Sequence, residues 1–174
     1  MLIYAGIDES GYGPLFGPLL VGRTVMAVHD HRAATPPRLW NLLKRAVCRT
    51  IAGSNGRIVV NDSKRVHSAA VGIKHLELGV LTFAGVAGLR PATVDRWLEG
   101  LGDRCHDNLR ALPWYAPGKD QPWGVLPRIR TAGEVAVARN LLATTMQQRG
   151  VEMLDLAAAV VLEDRFNRMT AATR

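Results

Sequence analysis

The sequence predicts an α/β fold class. Two observations carry this: an N-terminal pair of strand-like runs broken by a glycine-rich turn, and a downstream alternation of apolar runs with helix-spaced apolar positions, without an internal repeat. A length of 174 residues and an apolar content of 48% suit one domain with a sizeable core.

A first strand is expected over about residues 2 to 8, starting from Leu2-Ile3-Tyr4-Ala5-Gly6. A second, from Leu19 to Val28, makes a hairpin with it across the glycine turn. Pro36-Pro37 opens a helix that repeats Leu39, Leu43 and Val47 on one face and ends at Gly53-Ser54-Asn55-Gly56. Arg57-Ile58-Val59-Val60 is a short strand that delivers Asn61-Asp62-Ser63-Lys64-Arg65 onto a loop, and Val71 through Phe83 forms the next helix. Residues from about 90 to 130, interrupted by Pro91, Pro113, Pro117, Pro122 and Pro127, are expected to be an irregular insertion. Its tryptophans, Trp97, Trp114 and Trp123, fit anchors to the core better than base-stacking platforms. Thr131-Ala132-Gly133-Glu134 is a capping box for a helix ending near Gly150. Val151 to Leu162 then reads as a strand, although Leu156-Ala157-Ala158-Ala159 also suits a helix.

No run reaches the roughly 20 apolar residues of a membrane span, and Met1-Leu2-Ile3-Tyr4 lacks a basic leader, so a cytoplasmic protein is expected. Cys48 and Cys105 stand far apart, so neither a disulfide nor a thiolate zinc site is indicated. His29-Asp30-His31 and Cys105-His106 lack the spaced second pair that four-coordinate zinc requires.

The net charge of +7 is unevenly distributed. Residues 23 to 74 hold ten Lys or Arg against Asp30 and Asp62 alone, whereas residues 75 to 174 hold twelve bases against eleven acids. Such a stretch suits a polyanion. It also fits a solvated basic face, and the excess of Arg over Lys, eighteen to four, fits a coding bias.

Chemistry concentrates at Asp8 and Glu9, where the first strand meets Gly11-Tyr12-Gly13-Pro14. Adjacent carboxylates at a strand end call for a positive partner if desolvated, and a divalent cation is the simplest one. Successive strand side chains point to opposite faces, so the two acids share a site only if the chain leaves strand geometry, which Gly11 and Gly13 permit. Glycine N–H groups in such a turn can also face a phosphate oxygen. A plain hairpin with solvated acids fits these residues equally well. Asp62-Ser63-Lys64, an acid, a hydroxyl and an ammonium after a strand, is a second candidate for orienting phosphate, although such residues are common in turns.

Taken together, Gly6-Ile7-Asp8-Glu9-Ser10-Gly11-Tyr12-Gly13-Pro14, Phe16-Gly17-Pro18 and Asn61-Asp62-Ser63-Lys64-Arg65 resemble, in order and spacing, the N-terminal half of type 2 ribonucleases H, the HII/HIII group. The Phe-Gly-Pro extension resembles the HIII branch. The resemblance covers roughly residues 1 to 85, with a looser fit from Gly150 to Arg168. It implies a ribonuclease H-like fold, a mixed central sheet with flanking helices, and cleavage of the RNA strand of RNA–DNA hybrids with Mg²⁺ or Mn²⁺. Asp8 and Glu9 would be catalytic metal ligands, Gly11, Tyr12 and Gly13 would contact the nucleic-acid backbone, and Ser63 and Lys64 would meet phosphate.

The chain departs from the pattern in two places. Tyr12 stands where HII enzymes carry Arg, which leaves junction-ribonucleotide preference open. The family's other two catalytic aspartates have no match, and the chain is expected to be the N-terminal part of a longer member or a lineage without the C-terminal half. Substitute ligands are sought in Asp155, Glu163 and Asp164, the last two fitting a solvated helix start as well. Two further classes share features with the chain: a hybrid-binding module without turnover, which the missing acids support, and an actin-like kinase lobe, which leaves Glu9, Phe16-Gly17-Pro18 and Asp62-Ser63-Lys64 unexplained.

Overall fold

The first strand runs as expected, and slightly further: β1 spans Leu2–Ser10 and β2 Leu19–Val28. The computed structural model describes residues 1–10, 17–29, 35–102, 115 and 124–172. With β5, Val151–Val161, these strands form an antiparallel sheet in the order β1-β2-β5. The α/β class holds. The helical alternative for Leu156–Ala159 does not, because those residues lie inside β5.

The chain divides into two compact units. One comprises Met1–Tyr4, Met26–Arg90 and Pro127–Leu154; the other comprises Ala5–Val25, Pro91–Leu126 and Asp155–Arg174.

In the first unit, Ile58 and Leu142 are wholly buried, and Met26, Val28, Leu43, Val47, Ala138, Met146 and Val151 close around them. Each large aliphatic side chain so buried contributes about 1.5–3 kcal/mol. The expected helix from Pro36 to about residue 52 shrinks to one turn, α1, Leu39–Leu42. Its apolar positions were sound, since Leu43 and Val47 are both buried, but Val47 sits in a strand. β3, Val47–Cys48, pairs in parallel with β4, Ile58–Val59, with Val47 opposite Ile58 and Cys48 opposite Val59. Branched side chains at these positions favour the pleated backbone, and pairing across the core overrides the local helical spacing.

Of the expected loop Asn61 to Arg65, only Asn61 and Asp62 lie outside regular structure. Asp62 caps a single helical turn, α2, Ser63–Val66, and its carboxylate accepts the Lys64 N–H at 2.9 Å. The next helix, α3, spans Lys74–Val86 and starts three residues later than expected. Ser68 and Gly72 close a bridge before it, with Gly72 at φ +60, a conformation foreign to a right-handed helix.

α4 is Val94–Gly100, regular structure within the stretch expected to be irregular. Trp97 lies on it and is half-buried, while Trp114 and Trp123 lie outside the described residues. α5, Ala132–Gln148, opens on the expected capping box: the Thr131 hydroxyl accepts the Glu134 N–H at 3.2 Å, and Glu134 accepts the Thr131 N–H at 2.8 Å. α5 packs along α3. Gly150, at φ +60, ends the turn after it, and its carbonyl accepts the His29 N–H at 2.7 Å where β5 begins.

A buried acid ties this unit together. Glu77 of α3 accepts three successive backbone N–H groups, from Arg128 at 2.5 Å, Ile129 at 2.9 Å and Arg130 at 2.7 Å. Arg130 also bonds the Lys74 carbonyl at 3.1 Å and Glu134 at 2.9 Å, so the approach to α5 is held from both sides.

In the second unit, among the described residues, Leu98, Val160 and Leu162 are buried against Val94 and Tyr115. The Ala158 N–H reaches the Leu101 carbonyl at 3.2 Å. α6, Glu163–Ala171, completes it. Among the described residues, no helix is long and apolar enough to cross a membrane. Cys48 is a buried free thiol whose Sγ lies 3.4 Å from the Thr50 carbonyl, and Cys105 lies outside the described residues.

Candidate functional site

Asp8 and Glu9 both belong to the second unit and both are exposed on β1, an outer strand of the sheet. Strand geometry persists through them to Ser10, which sends their side chains to opposite faces. The Glu9 N–H donates to Asp8 Oδ1 at 3.0 Å. A side chain at Gly22 of β2 would approach the Asp8 carbonyl to 3.9 Å, which is ordinary contact. Gly11, Tyr12, Gly13, Pro14 and Phe16 lie outside the described residues.

The donor set for metal can be judged on this geometry. Among the described residues, no group of three or more His, Cys, Asp or Glu side chains is placed to hold a cation. Paired metal ions about 4 Å apart require more ligands than two carboxylates facing apart on one strand. The described residues by themselves do not fit the two-ion arrangement.

Two of the three substitutes are paired with an arginine. Asp155 on β5 accepts from Arg23 Nε of β2 at 2.8 Å, so a guanidinium already neutralises it. Glu163 does not start a helix in solvent, as one sequence reading had it. It is buried, its Oε1 accepts the Tyr115 hydroxyl at 2.6 Å, and its Oε2 has no hydrogen-bond partner among the described residues. Asp164 does match that reading, being exposed and paired with Arg168 one turn on at 2.9 Å.

Ser63 and Lys64 belong to the first unit, both exposed on the turn that Asp62 caps. Asp62 accepts the Lys64 backbone N–H, and the Lys64 ammonium makes no ion pair among the described residues. The parallel pairing of β3 and β4 sends Arg49 and Asn61 off the same end of the strand pair, where Asn61 Nδ2 donates to the Arg49 carbonyl at 2.9 Å. The Arg49 guanidinium lies 4.7 Å from the centre of the Trp40 ring. Neither Trp40 nor Arg49 stands out in the sequence. The signal for them was the single β-branched residue Val47, whose helical spacing concealed a strand.

Comparison with protein-family models, with curated proteins and with solved structures finds no match to this chain.

Proposed function

We propose that the chain is a type 2 ribonuclease H-like domain whose partner is an RNA–DNA hybrid and whose reaction is hydrolysis of the RNA strand, aided by Mg²⁺ or Mn²⁺, to 5′-phosphate and 3′-hydroxyl ends. The observation that carries this reading is the ordered set Gly6-Ile7-Asp8-Glu9-Ser10-Gly11-Tyr12-Gly13-Pro14, Phe16-Gly17-Pro18 and Asn61-Asp62-Ser63-Lys64-Arg65. Exposure of Asp8, Glu9, Ser63 and Lys64 agrees with a role at a surface. Bound metal would supply a polarised water and charge neutralisation at the scissile phosphate. By the resemblance Asp8 and Glu9 would be ligands, which would require β1 to leave strand geometry at these two residues, and among the described residues no group of three donors is placed for a cation.

A second reading, hybrid binding without turnover, is favoured by that donor set and by the Arg23–Asp155 pair. One experiment separates the two: an end-labelled RNA–DNA hybrid incubated with the chain and Mn²⁺ or Mg²⁺, beside the Asp8→Asn variant. Cleavage that disappears in the variant supports the enzyme. Binding without cleavage supports the second reading, and cleavage that survives Asp8→Asn refutes the site.

A further inference from the structure

The basic stretch is not uniform once its side chains are followed. Between residues 38 and 65 lie Arg38, Lys44, Arg45, Arg49, Arg57, Lys64 and Arg65, against Asp62 alone. Arg57 turns onto the carbonyls of Gly53, Ser54 and Lys44 and serves the fold. Arg45 donates to Gln148. Arg38, Lys44, Arg49, Lys64 and Arg65 are exposed, and none makes an ion pair among the described residues.

Arg49 differs from the other four in being held at both ends. Its carbonyl is fixed by Asn61 at 2.9 Å, and its guanidinium is laid on the Trp40 ring at 4.7 Å. A guanidinium anchored over an aromatic face is restrained by a contact that uses none of its N–H donors, and those donors match a phosphate in a two-pronged fashion. Among the described residues no carboxylate pairs with the Arg49 guanidinium. Arg49 leaves the C-terminal end of β3, and the Asn61–Lys64 segment leaves the same end of its parallel neighbour β4. In open α/β sheets ligands collect at the carboxyl ends of parallel strands.

We propose that Arg49, held by Trp40 and Asn61, is a preorganised contact for the sugar–phosphate backbone of duplex nucleic acid, at the same strand end as Ser63 and Lys64. The identity of the duplex as an RNA–DNA hybrid rests on the reading above. The contact is to phosphate, so it adds affinity and register without base preference.

The test is fluorescence anisotropy with a short labelled RNA–DNA hybrid in EDTA, which prevents cleavage, over a series of KCl concentrations. For Arg49→Gln, a rise in Kd of about 3- to 10-fold is expected, with the slope of log K against log salt reduced by about one. Arg49→Lys keeps the charge, so its slope stays near that of the parent while its affinity falls. Arg90→Gln removes another exposed charge outside the segment and is expected to leave both nearly unchanged. Thermal unfolding of each variant by circular dichroism verifies the fold. Parent-like binding by Arg49→Gln, or an equal loss in Arg90→Gln, overturns the Arg49 contact and leaves hybrid binding standing. Failure of the parent chain to bind any hybrid overturns the functional reading and the contact with it.

Discussion

The carboxylate of Glu77, on α3, receives the backbone N–H of Arg130 at 2.7 Å, fifty-three residues further along the chain. The Arg128 and Ile129 N–H groups join it, so one buried anion satisfies three successive donors. Glu77→Ala strands all three. An unpaired buried donor costs about 1–3 kcal/mol, and with some relaxation a total loss near 3 kcal/mol is expected. Urea unfolding measures this as a lower midpoint at unchanged m. A loss under about 1 kcal/mol would show that the segment finds other acceptors. Glu77→Gln retains one acceptor oxygen and should fall between.

Arg23 and Asp155 present the opposite case, an ion pair at 2.8 Å whose side chains are 56% and 38% exposed. Water screens such a pair, and its coupling is expected below about 1 kcal/mol. A double-mutant cycle of Arg23→Gln with Asp155→Asn reads that coupling directly. A value above about 2 kcal/mol would mean that the pair organises its surroundings beyond a surface contact.

Two positions on α5 should respond very differently to truncation. Leu142 is wholly buried, so Leu142→Ala opens a cavity and is expected to cost about 2–5 kcal/mol. Val137 is 70% exposed, and Val137→Ala is expected to stay within about 0.5 kcal/mol of the parent. Comparable losses at both would contradict the placement of the helix face.

Half-burial of His75, followed by the charges of Arg130 and Lys74, holds its imidazole below its ordinary pKa of 6.5. The unfolded chain therefore binds a proton there before the folded one does, and stability falls as pH drops through about 6.5. Above that pH both states are neutral at His75 and the effect vanishes. Thermal midpoints between neutral and mildly acidic pH should fall less steeply in His75→Gln. Glu134 acts lower: its hydrogen bonds from Thr131, then from Arg130, hold the carboxyl below 4.5, so its contribution fades only under that pH.

At the helix start itself, Thr131→Ala removes the hydroxyl that accepts the Glu134 N–H, and a loss of about 1 kcal/mol is expected. Thr131→Ser preserves the acceptor and should restore most of it, which urea unfolding of the pair would establish. Equal loss in both variants would assign the effect to the methyl group rather than the cap.

Where chemistry is local, the sequence could be read directly. Thr131 and Glu134 form their capping box because the partners are three residues apart, and β1 and β2 follow from largely apolar and branched runs on either side of a glycine turn, whereas part of β5 also suited a helix. The adjacency of Asp8 and Glu9 and the placement of Ser63 and Lys64 after a strand are likewise properties of order along the chain. What the tertiary structure alone decided are relations between distant residues. Val47 could obey helical spacing and still become a strand because Ile58 was available across the core. Glu163 looked like a solvated helix start until Tyr115 covered it, and Asp155 looked available until Arg23 reached it. Arg49 became a fixed cation only when Trp40 lay beneath it and Asn61 held its carbonyl. Local order sets propensity and turn chemistry; pairing, burial and charge neutralisation depend on which distant groups the folded chain brings within a few ångströms.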